Sequence, residues 1–359
     1  MFTLIYPLKK QGTCIIKLKN YYQHGVDPSL QRKIDKATQQ QQSENSFKVI
    51  ALEWVENQRP TLAKTTIKKI ESRLNRHIFQ HIGDRPIAEI MAPELLALLR
   101  LIEKTGHNET AHRVRNLCSR VFRYAIVTGR AERDTCADLQ GALVAVKSKH
   151  FSAITNPKEL GGLLRAIDDY SGGDYVTKTA LKLAPHVFLR PRNLRSVEWT
   201  EIDFDSGLWS IPAEKMKMNA DHIIPMSEQV INILLEIKPL TGHGRYVFPS
   251  MLTRSPSTRT EQRPMSENTI NMSLRRMGYT KEEMTGHGFR TTASTLLNEQ
   301  GFNVDWIEVQ LAHKEQNKIR GAYNRAQYLP QRKTMMQQWS GYLDSLRIGA
   351  DVIPIGQKA

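Results

Sequence analysis

The segment Thr285-Gly286-His287-Gly288-Phe289-Arg290 brings an imidazole and a guanidinium together. Two glycines let the backbone bend tightly around His287, and Arg290 follows three residues later on the opening turn of a predicted helix. A histidine can transfer a proton near neutral pH, and an arginine can hold negative charge. Because this is an unusual way to build only a core, the segment is a candidate site for acid–base chemistry beside a bound anion.

A second cationic position is Arg190, which is followed by Pro191. Proline disfavours the α conformation of the residue before it and suits the first position of a helix. We therefore predict that Arg190 is extended at the start of a helix over residues 192–197. A guanidinium at such a position could clamp a phosphate, although the Arg-Pro pair alone more often has a structural or surface role.

A further histidine, His313, follows Leu311-Ala312 and precedes Tyr323. Alone, such a histidine is more often a packing residue. However, the order arginine, His-x-x-Arg, histidine, tyrosine resembles the tyrosine recombinases, in particular the integrases of prophages and genomic islands. The resemblance covers roughly residues 25–346 and rests on five stretches: LRPRNLRSVEW, MTGHGFR, STLLNEQG, QLAHKEQNKIRGAYNRAQYL and MMQQW.

The resemblance implies a site-specific DNA recombinase that cleaves and rejoins DNA during integration and excision of a mobile element. Tyr323 would attack a backbone phosphorus and form a 3′-phosphotyrosyl link, which reversal can rejoin. Arg190 and Arg290 would stabilise charge on the non-bridging oxygens, the task of magnesium in many other phosphoryl-transfer enzymes. Neither a cofactor nor a metal is implied, and the sequence shows no P-loop, HExxH or dinucleotide-binding motif.

The same resemblance assigns the proton transfers. His287 would take the tyrosine proton, His313 would donate to a phosphate oxygen, and a lysine on a β-hairpin loop would protonate the leaving 5′-oxygen. The spacing within KMKMNADHIIP favours Lys217 as this lysine, with Lys215 as the alternative. Tyr328 is the nearest competitor of Tyr323 as the nucleophile, but the family places its nucleophile closer to the histidine.

The chain departs from the family pattern at two places. After the Arg-Pro pair the family has Gly-Glu, whereas this chain has Arg192-Asn193, so a carboxylate that supports the active-site arginine is missing. In the N-terminal arm-binding module of the family, only NYYQHGVDPSLQRK finds a counterpart here, so we expect a shortened N-terminus. Two alternatives follow: a catalytically inactive DNA-binding remnant of a prophage gene, or a type IB-like topoisomerase.

The composition points to nucleic acid as a partner. The 359 residues include 51 Lys and Arg against 36 Asp and Glu, a formal net charge of +15, which attracts polyanions. The three cysteines form no Cys-x-x-Cys pair, which argues against disulfides and a zinc site. Because no stretch approaches the roughly 18 apolar residues that span a bilayer, we expect no membrane contact. The resemblance implies a place in the bacterial cytoplasm, associated with the nucleoid.

The elements that would position these residues form two predicted domains. Residues 1–46 are a remnant module and linker, 47–148 a helical core-type DNA-binding domain, 149–347 the catalytic domain, and 348–359 a tail. In the first domain, an apolar stripe from Val114 to Ala125 predicts a helix. That helix carries three candidate DNA-contacting residues: Arg113, Arg120 and Arg123.

The second domain should begin with a helix capped by Asn156 that extends to Tyr170. Short β-type runs at 208–212 and 221–225 predict a small antiparallel sheet, Ser227 should cap a helix over 230–237, and the remainder to about residue 346 reads as helical. The predicted fold is therefore mainly α, with a small sheet in the catalytic domain. The expected partners are double-stranded DNA at attachment sites, a homotetramer on DNA, and an accessory directionality factor.

Overall fold

The computed structural model describes Lys33 and residues 44–146, 152–216, 220–250, 263–313 and 327–349. The chain divides into two compact units, and the boundary along the sequence lies between Ser148 and Lys149. Each unit has its own hydrophobic core of buried side chains. Each unit therefore has the organisation of a separate domain.

The first unit is helical. Its helices are α1 (Phe47–Gln58), α2 (Lys64–Leu74), α3 (Ala92–Lys104) and α4 (Asn108–Val127). Helix α2 continues through a π-helical turn, Asn75–Phe79, to Ile82. Helix α4 buries the predicted apolar stripe, including Val114, Cys118 and Val121, so the sequence prediction of this helix is confirmed.

The second unit is mostly helical. Its helices are α5 (Pro157–Asp168), α6 (Tyr175–Val187), α7 (Pro191–Arg195), α8 (Glu228–Thr241), α9 (Thr269–Arg276), α10 (Gly288–Glu299), α11 (Val304–Gln310) and α12 (Leu329–Ile348). In the described part of the chain, each helix is too short or too polar to cross a membrane.

Side-chain caps fix two helix starts that the sequence predicts. Asn156 Oδ1 accepts from the backbone N–H groups of Lys158 and Glu159, at 2.9 and 3.2 Å, and so begins α5. Ser227 Oγ accepts from the N–H of Val230 and begins α8. The ends are less accurate, since α5 ends two residues before the predicted Tyr170 and α8 extends to Thr241.

A small antiparallel sheet packs among the helices of the second unit. It has the order β1 (Ile202–Asp203), β2 (Leu208–Ile211), β3 (His222–Pro225), with Trp209 opposite Ile224. Trp209 is fully buried, and its indole N–H donates to Glu201 Oε2 at 3.0 Å. The predicted class, mainly α with a small antiparallel sheet, is confirmed.

Candidate active site

Arg190 lies where the sequence predicts it, at the start of a helix. Its backbone is extended (φ −60°, ψ 138°), and Pro191 is the first residue of α7. Helix α7 ends at Arg195, two residues before the predicted end. Just upstream, Phe188 ends α6 in the left-handed conformation, with φ 34°, so the chain turns sharply between α6 and Arg190.

The loop around His287 is held by two hydrogen bonds and by a close approach that excludes a β-carbon. The N–H of Gly286 donates to Asn271 Oδ1 at 2.8 Å, and the N–H of Gly288 donates to Thr285 Oγ1 at 3.0 Å. A β-carbon on Gly288 would lie 2.4 Å from the carbonyl oxygen of Ser152, so only glycine fits there. The loop therefore enters α10 on a fixed path, with His287 immediately before the helix.

Arg290 is only 4% exposed. Its Nη1 donates to the carbonyl oxygen of Phe188 at 2.9 Å, and its Nη2 donates to the carbonyl oxygen of Leu311 at 2.7 Å. Nη2 also lies 3.2 Å from His313 Nε2. These contacts join α10 to the end of α6 and to the segment that follows α11, and they place Arg290 beside His313.

Three successive main-chain carbonyls at the end of α11 each accept a hydrogen bond from a different element. They belong to Gln310, Leu311 and Ala312, which we call the carbonyl row. The oxygen of Gln310 accepts from His222 Nε2 at 3.1 Å, and that of Leu311 accepts from Arg290. The oxygen of Ala312 accepts from Arg190 Nη2 at 3.1 Å. The carbonyl row thereby holds both candidate arginines.

Strained backbone marks both ends of this arrangement. Phe188 and Ala312 are non-glycine residues with positive φ, 34° and 48°. The carbonyl oxygen of Phe188 binds Arg290, and that of Ala312 binds Arg190. Left-handed backbone at such residues persists only where the surroundings enforce it, and it is concentrated at functional sites.

His313 is oriented by its two neighbours. A guanidinium only donates, so His313 Nε2 accepts from Arg290, and the proton of the neutral ring lies on Nδ1. Nδ1 is 2.9 Å from Glu308 Oε2, to which it donates. Donation by His313 to a phosphate, as the resemblance implies, would require release of Arg290 and a proton on Nε2.

Burial and like charge shape the electrostatics of the site. Burial, followed by the charge of Arg190, lowers the pKa of Arg290 to about 10. Burial also lowers the pKa of Arg190. The pKa of His287 is lowered by burial and by Arg290, Arg190 and His313, so its ring is neutral at pH 7 and can accept a proton. Together the two arginines form a cationic site beside a candidate base.

The structure separates the two candidate lysines. Lys215 Nζ lies 2.5 Å from Glu198 Oε1, contacts the carboxylate of Glu201, and donates to the carbonyl oxygen of Ser196 at 3.2 Å. Its side chain is 20% exposed. Lys215 is thus engaged in an internal ion-pair cluster. This favours Lys217, which lies outside the described residues.

Asn193 occupies the position of the missing carboxylate. It is 6% exposed, and its amide Nδ2 donates to the carbonyl oxygen of Lys215 at 3.3 Å and lies 3.4 Å from Met216 Sδ. The substituted residue therefore contacts the last described residues before Lys217. The sequence pattern indicated only that a carboxylate was missing, whereas the structure shows which groups the amide contacts.

Tyr323 also lies outside the described residues, and Tyr328 precedes α12 with φ 47°. The structure therefore brings together Arg190, His287, Arg290 and His313, while the lysine and the tyrosine stay predictions. Among the described residues, no group of three His, Cys, Asp or Glu side chains could hold a metal ion.

The three candidate DNA-contacting arginines all lie on α4. The Cζ of Arg120 lies 4.8 Å from the centre of the Trp54 ring, and Arg113 forms an ion pair with Glu109. Arg123 Nε donates to the carbonyl oxygen of Ser119 at 3.4 Å. Nothing in these contacts assigns the arginines to DNA.

Sequence reasoning missed a buried arginine next to this site. Arg332 has no exposed surface and contacts the side chain of Gln310. A signal was present: Met335, Met336 and Trp339 form an apolar stripe on α12, and Arg332 lies one turn earlier on the same stripe. A cation in phase with an apolar stripe is a recognisable anomaly.

The fold is shared with known integrase structures. The lambda integrase tetramer bound to a Holliday junction superposes with a TM-score of 0.59 and 19% identity, over 88% of this chain and 90% of that one. Both the helical unit and the mostly helical unit with its small sheet lie within an architecture of this class.

Sequence comparison gives the family. Residues 47–142 match the phage integrase central domain, and residues 154–329 match the phage integrase family. The integrase of Enterobacteria phage P4 is 34% identical over 339 residues, 90% of this chain and 74% of that protein. Prophage integrase IntS of Escherichia coli (strain K12) is 34% identical over 321 residues, 89% and 79%. The chain belongs to the phage integrase family and is a tyrosine-type site-specific DNA recombinase.

Proposed function

We propose that this recombinase cleaves and rejoins DNA with Tyr323 as its nucleophile and with the carbonyl row holding the phosphate-binding arginines. The observation that carries the proposal is the pairing of Arg190 and Arg290 on neutral partners. Their hydrogen bonds go to the carbonyl oxygens of Phe188, Leu311 and Ala312 and to the ring of His313. Two cations fixed near each other in this way form a receptor for an anion.

A phosphodiester matches this receptor in charge and in hydrogen-bond acceptors. Guanidinium groups donate to non-bridging phosphate oxygens, and the charge that builds up on these oxygens in the transition state strengthens the interaction. A bound phosphate would also offset the burial and like charge that lower the pKa of Arg290 to about 10. The two arginines should therefore interact more strongly with the phosphate in the transition state than with the phosphate of the bound substrate.

The proton balance uses the remaining residues. Tyr323 Oη attacks the phosphorus and passes its proton to His287, whose lowered pKa leaves a neutral ring able to accept it. Lys217 gives a proton to the departing 5′-oxygen as the bond to phosphorus breaks. Rejoining runs the same transfers backwards. In this scheme Glu308 holds His313 at Nδ1. His313 releases Arg290, takes up a proton from solvent at Nε2, and donates from Nε2 to the phosphate.

The partners follow from the class of enzyme. We propose that the helical unit (47–148) and the catalytic unit (149–347) both bind duplex DNA at attachment sites on the bacterial chromosome. Strand exchange requires several protomers, and the lambda integrase neighbour is a tetramer on a Holliday junction. A homotetramer on DNA, guided by a directionality factor, is therefore the assembly we propose.

Covalent trapping tests the nucleophile. The protein is incubated without magnesium with a nicked duplex that carries the end sequence of its element, and the denatured products are separated. We expect a protein–DNA adduct for the unaltered chain and for Tyr328→Phe, and none for Tyr323→Phe. Tyr328→Phe is the matched control because it removes the competing hydroxyl five residues away. Loss of the adduct only in Tyr328→Phe would reverse the assignment.

The same trapping, combined with assays of supercoil relaxation and of recombinant product, separates the two alternatives, neither of which the comparisons favour. An inactive remnant would bind the duplex in a salt-sensitive manner but give no adduct with the unaltered chain. A topoisomerase would give the adduct and relax supercoiled DNA, but it would form no recombinant product at any protein concentration.

A further inference from the structure

Arg332 is a charged residue in the core of the second unit. It lies in the first turn of α12, and its side chain has no exposed surface. A charged group buried in this way costs stability unless it is paired, and an apolar residue of the same size is often no less stable. Its presence on a buried stripe therefore calls for a task other than packing.

Within the described ranges of the chain, the hydrogen bonds of Arg332 go to neutral groups. Its Nε and Nη2 both donate to Gln310 Oε1, at 3.1 and 2.6 Å. Nη2 also donates to the carbonyl oxygen of Ile223 at 2.6 Å, and Nη1 donates to that of Gln327 at 3.2 Å. Burial lowers the pKa of Arg332 to about 10. A forked donor thus ties together three parts of the chain through neutral acceptors.

These parts meet at the carbonyl row. Gln310 opens the row, and its main-chain oxygen is held by His222, the neighbour of Ile223 on β3. The side chain of Gln310 is fully buried, and Oε1 is fixed by two donors of Arg332. The next two carbonyls, of Leu311 and Ala312, bind Arg290 and Arg190. Arg332 therefore holds the side chain of the first residue of the row, and the next two residues of the row hold the candidate arginines.

We propose that Arg332 is a positioning residue of the active site: through Gln310 it fixes the carbonyl row and thereby the two phosphate-binding arginines. This inference rests on the proposed function. The hydrogen bonds of Arg332 go to Gln310, Ile223 and Gln327 rather than to the candidate arginines, so its effect is on where the oxygen atoms that hold those arginines lie. Displacement of a catalytic group by about 1 Å can slow a reaction about 100-fold, so loss of this support should lower the rate of chemistry rather than DNA affinity.

The first test is Arg332→Met, which keeps the length and apolar stem of the side chain and removes its donors. We expect the single-turnover rate of covalent adduct formation, at saturating protein, to fall about 100-fold, with the DNA dissociation constant changed less than about threefold. Leu343→Ala is the matched control, because it opens a cavity in the same helix at a fully buried position away from the row. It should lower the melting temperature while the rate stays within about threefold.

A second variant keeps the proposal testable if Arg332→Met does not fold. Gln310→Leu removes the acceptor of the fork but leaves the main-chain carbonyl in place, and it should lower the same rate constant. If both act through one support, the double variant is no slower than the slower single variant, within about threefold. Independent, multiplicative losses would contradict a shared path.

The outcomes separate this inference from the proposed function. Absence of a Tyr323-dependent adduct in the unaltered protein would overturn the proposed function and, with it, the inference. A normal adduct rate in Arg332→Met and Gln310→Leu, while the unaltered protein is active, would overturn the inference alone. A rate loss in Leu343→Ala as large as that in Arg332→Met would show that the effect is general destabilisation, and it would also overturn the inference.

Discussion

Two neighbouring lysines, Lys215 and Lys217, can be assigned separate tasks by replacing each with methionine. Methionine keeps the apolar stem and removes the ammonium group. Lys215→Met breaks the cluster with Glu198 and Glu201, whose side chains are 13% and 6% exposed. Lys217→Met removes the proposed general acid. We expect Lys215→Met to lower the melting temperature and Lys217→Met to lower the rate of adduct formation.

The size of the stability loss follows from the cluster. Removal of one partner of a buried ion pair costs about 3 to 5 kcal/mol, and we take about 3 kcal/mol because Lys215 is partly exposed. Glu198 also keeps Arg245, whose Nε lies 2.9 Å from its Oε2, which limits the loss. For a unit of this size, about 3 kcal/mol corresponds to a fall in melting temperature of about 6 to 12 °C.

The pH dependence gives the sign of the same effect. The pKa of Glu198 is held below its ordinary value of 4.5, first by Arg245 and then by Lys215. A carboxyl with a lowered pKa stabilises the folded state above its unfolded pKa, and this contribution is lost as the pH falls through the folded pKa. The stability gap between the unaltered protein and Lys215→Met should therefore be full at pH 7 and shrink below about pH 4.5.

Two measurements on each variant decide the assignment: thermal unfolding at pH 7 and at pH 4, and the single-turnover rate of adduct formation at a temperature where both variants are folded. We expect Lys217→Met to have the melting temperature of the unaltered protein and to react at least about 100-fold more slowly. Lys215→Met should melt early yet react at a rate within about tenfold. A stable but inactive Lys215→Met beside an active Lys217→Met would refute the reasoning.

Two further predictions concern packing and DNA binding. Gly288→Ala places a β-carbon 2.4 Å from the Ser152 carbonyl oxygen and should lower the free energy of unfolding by about 3 kcal/mol. In Gly341→Ala the β-carbon meets no neighbouring atom within 4 Å, so this variant should raise the free energy of unfolding by about 0.5 to 1 kcal/mol. Denaturant titration measures both changes. Replacement of the three α4 arginines by alanine should make the fall of log affinity with log salt concentration less steep, by about 2 to 3, without change in fold. An unchanged slope would show that these arginines do not contact DNA. They are Arg113, Arg120 and Arg123.

Local chemistry could be predicted from the sequence because its causes lie within a few residues. Asn156 and Ser227 cap the helices that they were predicted to begin, and Arg190 is extended because Pro191 follows it. The small sheet was predicted from alternating short runs, and β2 and β3 fall within them. The first strand, Ile202–Asp203, was missed because two residues carry no periodic pattern.

The support of the site could not be predicted, because its partners are far apart in sequence. Arg332 and Ile223 are separated by 109 residues, and Arg190 and Ala312 by 122. Every residue has a main-chain carbonyl, so the residue types of Leu311 and Ala312 do not predict that their carbonyls accept from arginines. Asn193 shows the opposite limit, since a family pattern recorded a missing carboxylate but not the contact that the amide makes instead.

The carbonyl row has a consequence for how the site can be altered. Its hydrogen-bond acceptors belong to the polypeptide backbone, so substitution of Leu311 or Ala312 by another amino acid leaves the oxygen atoms in place. Side-chain scanning of these two positions would therefore leave their role hidden. Carbonyl carbons labelled with ¹³C at residues 310–312 would report it directly, because their chemical shifts respond to each donor. At Leu311 and Ala312 the role in the site therefore depends on the main-chain path, whereas at Gln310 it also depends on the side chain that Arg332 holds.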